Sequence, residues 1–308
     1  MGETIPIAVP RKGRPLESVL DRFARRFGVE GLADEITSTL RHEKAVTKGT
    51  LESDGDDVYR RLAEYSTVTD PRLPEYTLVR DDRAGKPRRI VFDSVTIPLD
   101  DVDGVPADTV VQLVGREEPF RALRTHEFAL GFDSADLVLE EVVELRPEPL
   151  DRIADVNARI DPADSDVRVV TGLGDTVFHT LMATPDVTPS AESIDRAFLE
   201  RYEGPLCIEP RYERLVRAVL GTKTLAGIEF QYPADGREEE AAIAETGIGV
   251  YLTMTGSTAR EHGLVLGERL FPSETVLLEN TPEVTETVET IRGLLNGADL
   301  ETELAVSS

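Results

Sequence analysis

The chain has 308 residues and a formal net charge of -25, with 59 acidic residues against 34 basic ones. Apolar residues make up 40% of it, too many for a disordered acidic protein, so we expect a folded protein with an acidic surface. The acidic excess argues against nucleic acid as a partner, because phosphate neutralisation requires a basic stripe. Only five basic residues are Lys. Scarce Lys with acidic excess favours a halophilic protein from molar salt over an ordinary acidic one.

The compartment can also be inferred from the sequence. The single cysteine, Cys207, cannot form an internal disulfide, which fits a reducing compartment. No apolar run approaches the roughly 18 residues of a membrane span. The apolar N-terminal run Ile5–Val9 is interrupted by Pro6, unlike the core of a signal peptide. We therefore expect a cytoplasmic protein with no membrane partner. The four histidines share no metal-ligand spacing, so no protein metal site is predicted.

The N-terminal part of the chain predicts strands and helices in alternation. Ile5–Val9 is typical of a short buried strand. Leu16–Phe27 repeats apolar residues every three or four positions, which predicts a helix that stops at Gly28. Residues 40–106 carry Gly and Pro turn signals and one strand candidate, Ile90–Ile97, and are predicted to form a hairpin-rich insertion.

The rest of the chain continues this alternation. Apolar alternation predicts a strand over Ala135–Val143, and a change of register near Pro147–Pro149 predicts a lobe boundary. Alternating strands and helices predict an α/β fold, in which ligands gather at the carboxyl ends of strands. The other predicted strands are Thr109–Val114, Phe128–Phe132, Val167–Thr171, Leu206–Ile208, Ile248–Leu252 and Thr275–Leu278, and the other helices are Ile194–Tyr202, Pro210–Leu220 and Pro282–Leu295.

The clearest functional signal is Thr255-Gly256-Ser257-Thr258, which follows a predicted strand. A phosphate monoester needs several donors that converge on three oxygens, and small hydroxyl side chains with backbone N–H groups supply them without bulk. Gly256 allows the backbone to approach a ligand closely. The sequence therefore predicts a phosphate site at this loop. An ordinary turn with a Thr cap is the alternative.

Four segments match, in the same order, the motifs of one enzyme family. Ile7–Arg14 looks like the family's opening Ile-Ala-Val-Pro-Asn-Lys-Gly-Arg. Leu130–Asp136 with Glu140, and then Leu206–Leu215, are similar to two further motifs. Residues 254–264 resemble the family's phosphoribosyl diphosphate loop. The chain thus resembles, as a divergent relative, the ATP phosphoribosyltransferase family, which opens histidine biosynthesis.

This resemblance implies two lobes of mixed, largely parallel sheet with flanking helices, as in a bilobal (type II) solute-binding protein, with the active site in the cleft. Lobe one would contain residues 1–146 and 272–308, with the insertion around 40–106. Lobe two, residues 147–271, would carry the phosphoribose loop. The family's regulatory domain is not expected, because only a short tail follows Asn280.

The resemblance also implies a reaction, in which phosphoribosyl diphosphate transfers its phosphoribose to a ring nitrogen of ATP or another nucleobase-like acceptor. The 5′-phosphate would bind the loop, cations near the N-terminus would hold the departing pyrophosphate, and Mg²⁺ would arrive with the substrate. The partners would be small-molecule substrates, with a homo-oligomer as an open alternative, and no catalytic residue is assigned. The implied substrate-binding residues are Lys12, Gly13, Arg14, Asp136, Thr255, Gly256, Ser257 and Thr258.

Two positions beside the loop depart from the family pattern. The family has an Asp four residues before the loop Thr and a Glu immediately before it, where this chain has Tyr251 and Met254. A positively charged transition state would lose their negative field. The alternative is therefore a non-catalytic phosphate-binding or regulatory protein. An acidic side chain above Gly256 would favour the enzyme, and Asp136 and Glu140 are the candidates by motif position.

Overall fold

The computed structural model describes residues 3–51, 57–66, 70–80, 88–100, 102–188, 193–234 and 238–296. These residues form two compact units. Of the described residues, the first unit contains those up to Asp133, the segment Asp166–Asp175 and those from Thr275 to Asn296. The second contains Ser134–Ser165 and Thr176–Glu274. The chain therefore enters the second unit before the expected boundary at residue 146, and a short segment returns to the first unit.

The secondary structure elements are numbered in chain order. The strands are β1 (Thr4–Pro10), β2 (Glu75–Arg80), β3 (Arg88–Pro98), β4 (Val110–Arg116), β5 (Leu130–Ser134), β6 (Val167–Gly172), β7 (Val177–Ala183), β8 (Gly204–Cys207), β9 (Ile228–Gln231), β10 (Ile248–Thr253), β11 (Val265–Ser273) and β12 (Thr275–Asn280). The helices are α1 (Gly13–Phe27), α2 (Glu30–Lys48), α3 (Val58–Tyr65), α4 (Pro119–Arg124), α5 (Ala135–Glu141), α6 (Arg196–Leu199), α7 (Glu213–Leu220), α8 (Glu239–Thr246), α9 (Ser257–Glu261) and α10 (Glu286–Asn296).

The first unit is built on a seven-stranded sheet with the order β2-β3-β4-β1-β5-β12-β6. Strand β1 pairs in parallel with β4 and β5, whereas β2–β3, β3–β4 and β12–β6 are antiparallel. Val167–Gly172 belongs to this unit because it pairs with β12. The pairing explains why the chain between the two units crosses more often than the sequence predicted.

The core of the first unit confirms the predicted N-terminal strand and helix. Ile7 and Val9 of β1 are fully buried against the apolar face of α1, which includes Leu16 and Phe23. Helix α1 ends at Gly28, whose φ of 67° is accessible to Gly at little cost. Local sequence signals were sufficient here, because apolar periodicity and a C-terminal Gly act within one element.

The region expected to be an insertion begins as helix rather than hairpin, since α2 extends to Lys48. Further on, β2 and β3 form an antiparallel hairpin at one edge of the sheet, and the strand predicted at Ile90–Ile97 lies inside β3. Residues 52–56, 67–69, 81–87 and 101 lie outside the described residues. The hairpin extends the sheet beyond β4, where Ile90 and Phe92 are buried.

The second unit has a five-stranded sheet with the order β11-β7-β10-β8-β9. Strand β10 lies at its centre, antiparallel to β7 and parallel to β8. The mixed α/β class is thereby confirmed, and each sheet combines parallel and antiparallel pairs. No helix among the described residues has both the length and the apolar character needed to cross a membrane.

The strand predicted over Ala135–Val143 was wrong, because the structure has helix α5 there. Its buried residues Val138 and Leu139 lie three and four positions after the buried Ala135, which is helical spacing. The segment is so rich in Val and Leu that its apolar residues fit both the two-residue period of a strand and the period of a short helix. Periodicity alone therefore could not distinguish the two.

Candidate phosphate-binding loop

Strand β10 carries the Thr255–Thr258 loop at its carboxyl end. Strand β10 lies close to β8 at Gly249, since a Cβ atom there would lie 2.6 Å from the carbonyl oxygen of Cys207. Ile248 and Val250 are buried and fix the strand in the centre of the sheet. The loop therefore starts from a rigid position in the second unit.

Gly256 has two structural reasons for being glycine. Its φ is 68°, in the left-handed region that other residues enter at a cost. A Cβ atom at this position would lie 2.3 Å from Cδ1 of Leu266. The backbone can turn here only because this residue has no side chain, and the turn leads directly into the five-residue helix α9.

The hydroxyl groups of the loop face solvent while its backbone is held internally. Thr255, Ser257 and Thr258 are exposed, whereas Ala259 is buried and anchors α9. The guanidinium of Arg260 donates to the carbonyl oxygen of Thr255 at 2.8 Å. Thr255 Oγ1 and Ser257 Oγ are 3.2 Å apart. The loop thus presents three hydroxyl groups together, with one cation bound to its base.

A pocket of about 270 Å³ lies at this loop. It is lined by Leu252–Ala259 and by Glu240 of helix α8. Glu240 is half-buried and is the only carboxylate among the described residues that line the pocket. The sequence alone does not single out Glu240, because Glu238–Glu240 resembles an ordinary charged surface run.

The two family acids are replaced by side chains with different roles. Met254 is 75% exposed and projects from the loop. Tyr251 is half-buried, and burial together with the nearby Glu239 and Glu240 raises the pKa of its phenol to about 12. A hydrogen bond to Glu239 contributes to this shift. The phenol therefore stays protonated near neutral pH and supplies no negative charge.

Asp136 is part of an internal polar cluster of the second unit. It accepts a hydrogen bond from Ser273 Oγ at 2.8 Å, and its Oδ1 lies 3.3 Å from Nε2 of His179. His179 is fully buried on β7, and its ring and the Tyr212 ring form a T-shaped contact at a centroid distance of 4.9 Å. Burial raises the pKa of Glu140 on the same helix. Neither carboxylate lines the loop pocket.

The segment Lys12-Gly13-Arg14 lies in the first unit at the start of α1. Lys12 Nζ is exposed and lies 3.4 Å from Oε2 of Glu117. Gly13 has a φ of 78° and is the first residue of the helix. Arg14 Nη1 lies 3.0 Å from Oδ2 of Asp175. Both cations thus have carboxylate partners within their own unit.

Asp175 connects two elements of the first unit. Besides its ion pair with Arg14, it accepts hydrogen bonds from Ser18 Oγ at 2.8 Å and from the backbone N–H of Thr275 at 2.8 Å. The hydroxyl of Thr275 also donates to it, at 2.7 Å. Asp175 is mostly buried, at 12% side-chain exposure. This carboxylate joins α1 to the start of β12.

Similarity to known proteins extends over nearly the whole chain. A family model described as halobacterial ATP phosphoribosyltransferase matches residues 1–306. No curated protein matches the chain. A solved ATP phosphoribosyl transferase (HisG:HisZ) complex from Thermotoga maritima is similar at 14% identity, with 94% of each chain covered and a TM-score of 0.42. The regulatory domain of MetR from N. meningitidis is similar at 14% identity, with 60% of this chain and 79% of that chain covered and a TM-score of 0.33.

Proposed function

The chain belongs to the halobacterial ATP phosphoribosyltransferase family, and on that premise we propose that it transfers phosphoribose from phosphoribosyl diphosphate to a ring nitrogen. The bond between ribose C1 and the diphosphate oxygen would break as the bond from C1 to the acceptor nitrogen forms. Pyrophosphate would leave with the electron pair. The acceptor would be ATP or another nucleobase-like ring. Family membership supports a function of the ATP phosphoribosyltransferase type, and the substrates are the proposal.

The observation that carries this proposal is the open Thr255–Thr258 loop. Three exposed hydroxyl-bearing residues and Gly256 line a pocket large enough for a small phosphate ester. Hydrogen bonds to a charged group contribute about 1.5–3 kcal/mol each. Helix α9 has only five residues, so we assign the binding to these local donors rather than to a helix dipole.

The other expected contributors stay predictions. Lys12 and Arg14 would provide cations for the diphosphate, although Arg14 would first have to exchange Asp175 for the ligand. Mg²⁺ would be carried by the diphosphate and would neutralise part of its charge. Asp136 would contact substrate only if it left Ser273 and His179. A cytoplasmic location, adaptation to molar salt and a homo-oligomeric state are likewise predictions.

A second candidate function is a binding protein that does not catalyse transfer. Tyr251 and Met254 favour it, because neither side chain supplies the negative charge that a positively charged ribose would need. Glu240 favours the enzyme, because it places a carboxylate on the wall of the pocket. The two candidates differ in turnover and agree in ligand binding.

The test is pyrophosphate release from phosphoribosyl diphosphate with Mg²⁺ in molar KCl, first with ATP and then with a panel of nucleobases. We expect release that depends on the acceptor and that falls about 10-fold or more in Thr258→Ala, since a hydrogen bond to phosphate is lost. Thr50→Ala, at an exposed threonine of the other unit, is the matched control and should keep full activity. Binding without release would establish the second candidate. If the protein neither binds phosphoribosyl diphosphate nor releases pyrophosphate, both candidate functions are contradicted.

A further inference from the structure

The pocket at the loop is lined by two chemically different kinds of side chain. Thr255, Ser257 and Thr258 supply hydroxyl donors, and the guanidinium of Arg260 donates to the carbonyl oxygen of Thr255. Glu240, from a different element, supplies a carboxylate. A carboxylate repels a bare phosphate and accepts hydrogen bonds from alcohol groups. The combination therefore fits a ligand with a phosphate at one end and hydroxyl groups at the other.

We infer that Glu240 binds the ribose hydroxyl groups of a phosphosugar whose phosphate is held by the loop. This inference rests on the proposed function and deepens it, because it assigns a carboxylate to the site in place of the acids that are absent at Tyr251 and Met254. The same negative charge would stabilise the positive charge that develops on the ribose ring as pyrophosphate leaves. Glu240 is a substrate-contacting residue in this account.

Tyr251 and Glu239 act as positioning residues for Glu240. Tyr251 lies on β10, four residues before Thr255, and packs against the apolar cluster that contains Ala242 and Ile243 of α8. Glu239 and Glu240 are adjacent in the first turn of α8, and both lie near enough to the phenol to raise its pKa. This packing ties α8 to the strand that carries the loop. An aspartate at position 251 would repel these two glutamates, whereas a neutral phenol does not.

The packing of α8 supports this placement. Ala242 and Ile243 of the helix are buried in a small apolar cluster with Met182, Cys207 and Ala259. Ala259 is itself a residue of the loop pocket, so one cluster fixes both the helix with the carboxylate and the short helix that follows the loop. The buried residues of α8 therefore fix the backbone that carries Glu240 beside the pocket.

The experiment compares ribose 5-phosphate with inorganic phosphate by calorimetry, in molar KCl and without divalent metal. In Glu240→Gln we expect the affinity for ribose 5-phosphate to fall about 10-fold, because a charged acceptor is replaced by a neutral one. The affinity for inorganic phosphate should stay unchanged or rise, because a repulsive charge is removed. Damage to the loop would lower both affinities, so the opposite directions separate recognition from misfolding.

Glu245→Gln is the matched control, because Glu245 is exposed on the same helix and does not line the pocket. It should bind both ligands as the wild-type protein does. Tyr251→Phe should also lower the affinity for ribose 5-phosphate, but by less than Glu240→Gln does. Equal changes for both ligands in Glu240→Gln, or no change for either, would overturn the assignment and leave the proposed function standing. A wild-type protein that binds neither ribose 5-phosphate nor phosphoribosyl diphosphate would remove the premise itself.

Discussion

Two segments have the composition of a phosphate site: Thr255–Thr258 in the second unit and Lys12-Gly13-Arg14 in the first. Their surroundings in the structure differ. The hydroxyl groups of the loop are exposed around a pocket. The cations of the N-terminal segment lie beside Glu117 and Asp175. The loop hydroxyl groups are therefore open to a ligand, whereas the cations Lys12 and Arg14 are paired with carboxylates. The difference arises from partners that are distant in the sequence.

Energetics explain why the two segments differ. The Arg14–Asp175 pair is partly buried and shares its carboxylate with Ser18 and Thr275, so each partner compensates the desolvation of the others. Thr255 and Ser257 are exposed and lose little by leaving water for a ligand. We expect changes in the Asp175 cluster to affect stability and changes in the loop to affect binding.

The largest expected effect is on stability, from Asp175→Ala. It removes four interactions at once, namely the ion pair with Arg14 and three hydrogen bonds, and it leaves the N–H of Thr275 without its carboxylate acceptor. We expect the free energy of unfolding to fall by about 3 kcal/mol, because one partner of a mostly buried pair is deleted. Urea unfolding in molar KCl measures this. Asp21→Ala, which removes an exposed pair with Arg25, should cost about 0.5 kcal/mol or less. Equal losses in the two variants would show that the cluster is not structural.

Gly256→Ala should affect both stability and binding. The φ of 68° predicts a loss of about 1–2 kcal/mol, and Leu266 would also have to move. Gly263→Ala is the matched control, because its φ is 73° and nothing lies within 4 Å of the added methyl group. Both variants should unfold more easily, but only Gly256→Ala should weaken the binding of phosphoribosyl diphosphate in calorimetry. Weakened binding in both would refute a specific role for Gly256.

The smallest expected effect is a pH dependence at Tyr251. Its folded-state pKa is raised to about 12 by burial, Glu239 and Glu240, above the ordinary value of 10.0. The stabilising contribution of the protonated phenol is therefore fully present below about pH 10 and is lost as pH rises through 12. Relative to Tyr251→Phe, the wild-type protein should become less stable over that range. A difference that stays constant with pH would contradict the burial of the phenol beside two carboxylates.

Sequence predicted well those features that depend on neighbouring residues. Helix α1 with its Gly28 stop and the strand that leads to the loop follow from local periodicity and turn chemistry. Strand β7 was not predicted at all, because His179 and Thr180 interrupt its apolar pattern although both are buried inside the fold. A polar residue in a core is accepted only when a distant partner compensates it, and that partner does not appear in local sequence.

The candidate site shows the same limit. The loop was predicted from four consecutive residues, but Glu240 comes from a helix whose position depends on the packing of its Ile243 against Met182, Cys207 and Ala259. Arg14 and Asp175 are 161 positions apart, so no local pattern could show that the cation has a partner. A motif therefore identifies candidate groups, and the tertiary contacts decide which of them are open to a ligand.

The most direct test of the contrast between the two segments uses a matched pair of serines. Ser257→Ala removes an exposed hydroxyl from the loop, and Ser18→Ala removes the hydroxyl that donates to Asp175. Calorimetry with phosphoribosyl diphosphate and urea unfolding are measured on both variants. We predict that Ser257→Ala lowers affinity about 10-fold with stability unchanged, and that Ser18→Ala lowers stability by about 1 kcal/mol with affinity unchanged. The reverse pattern, or equal effects of both variants on affinity, would contradict the account.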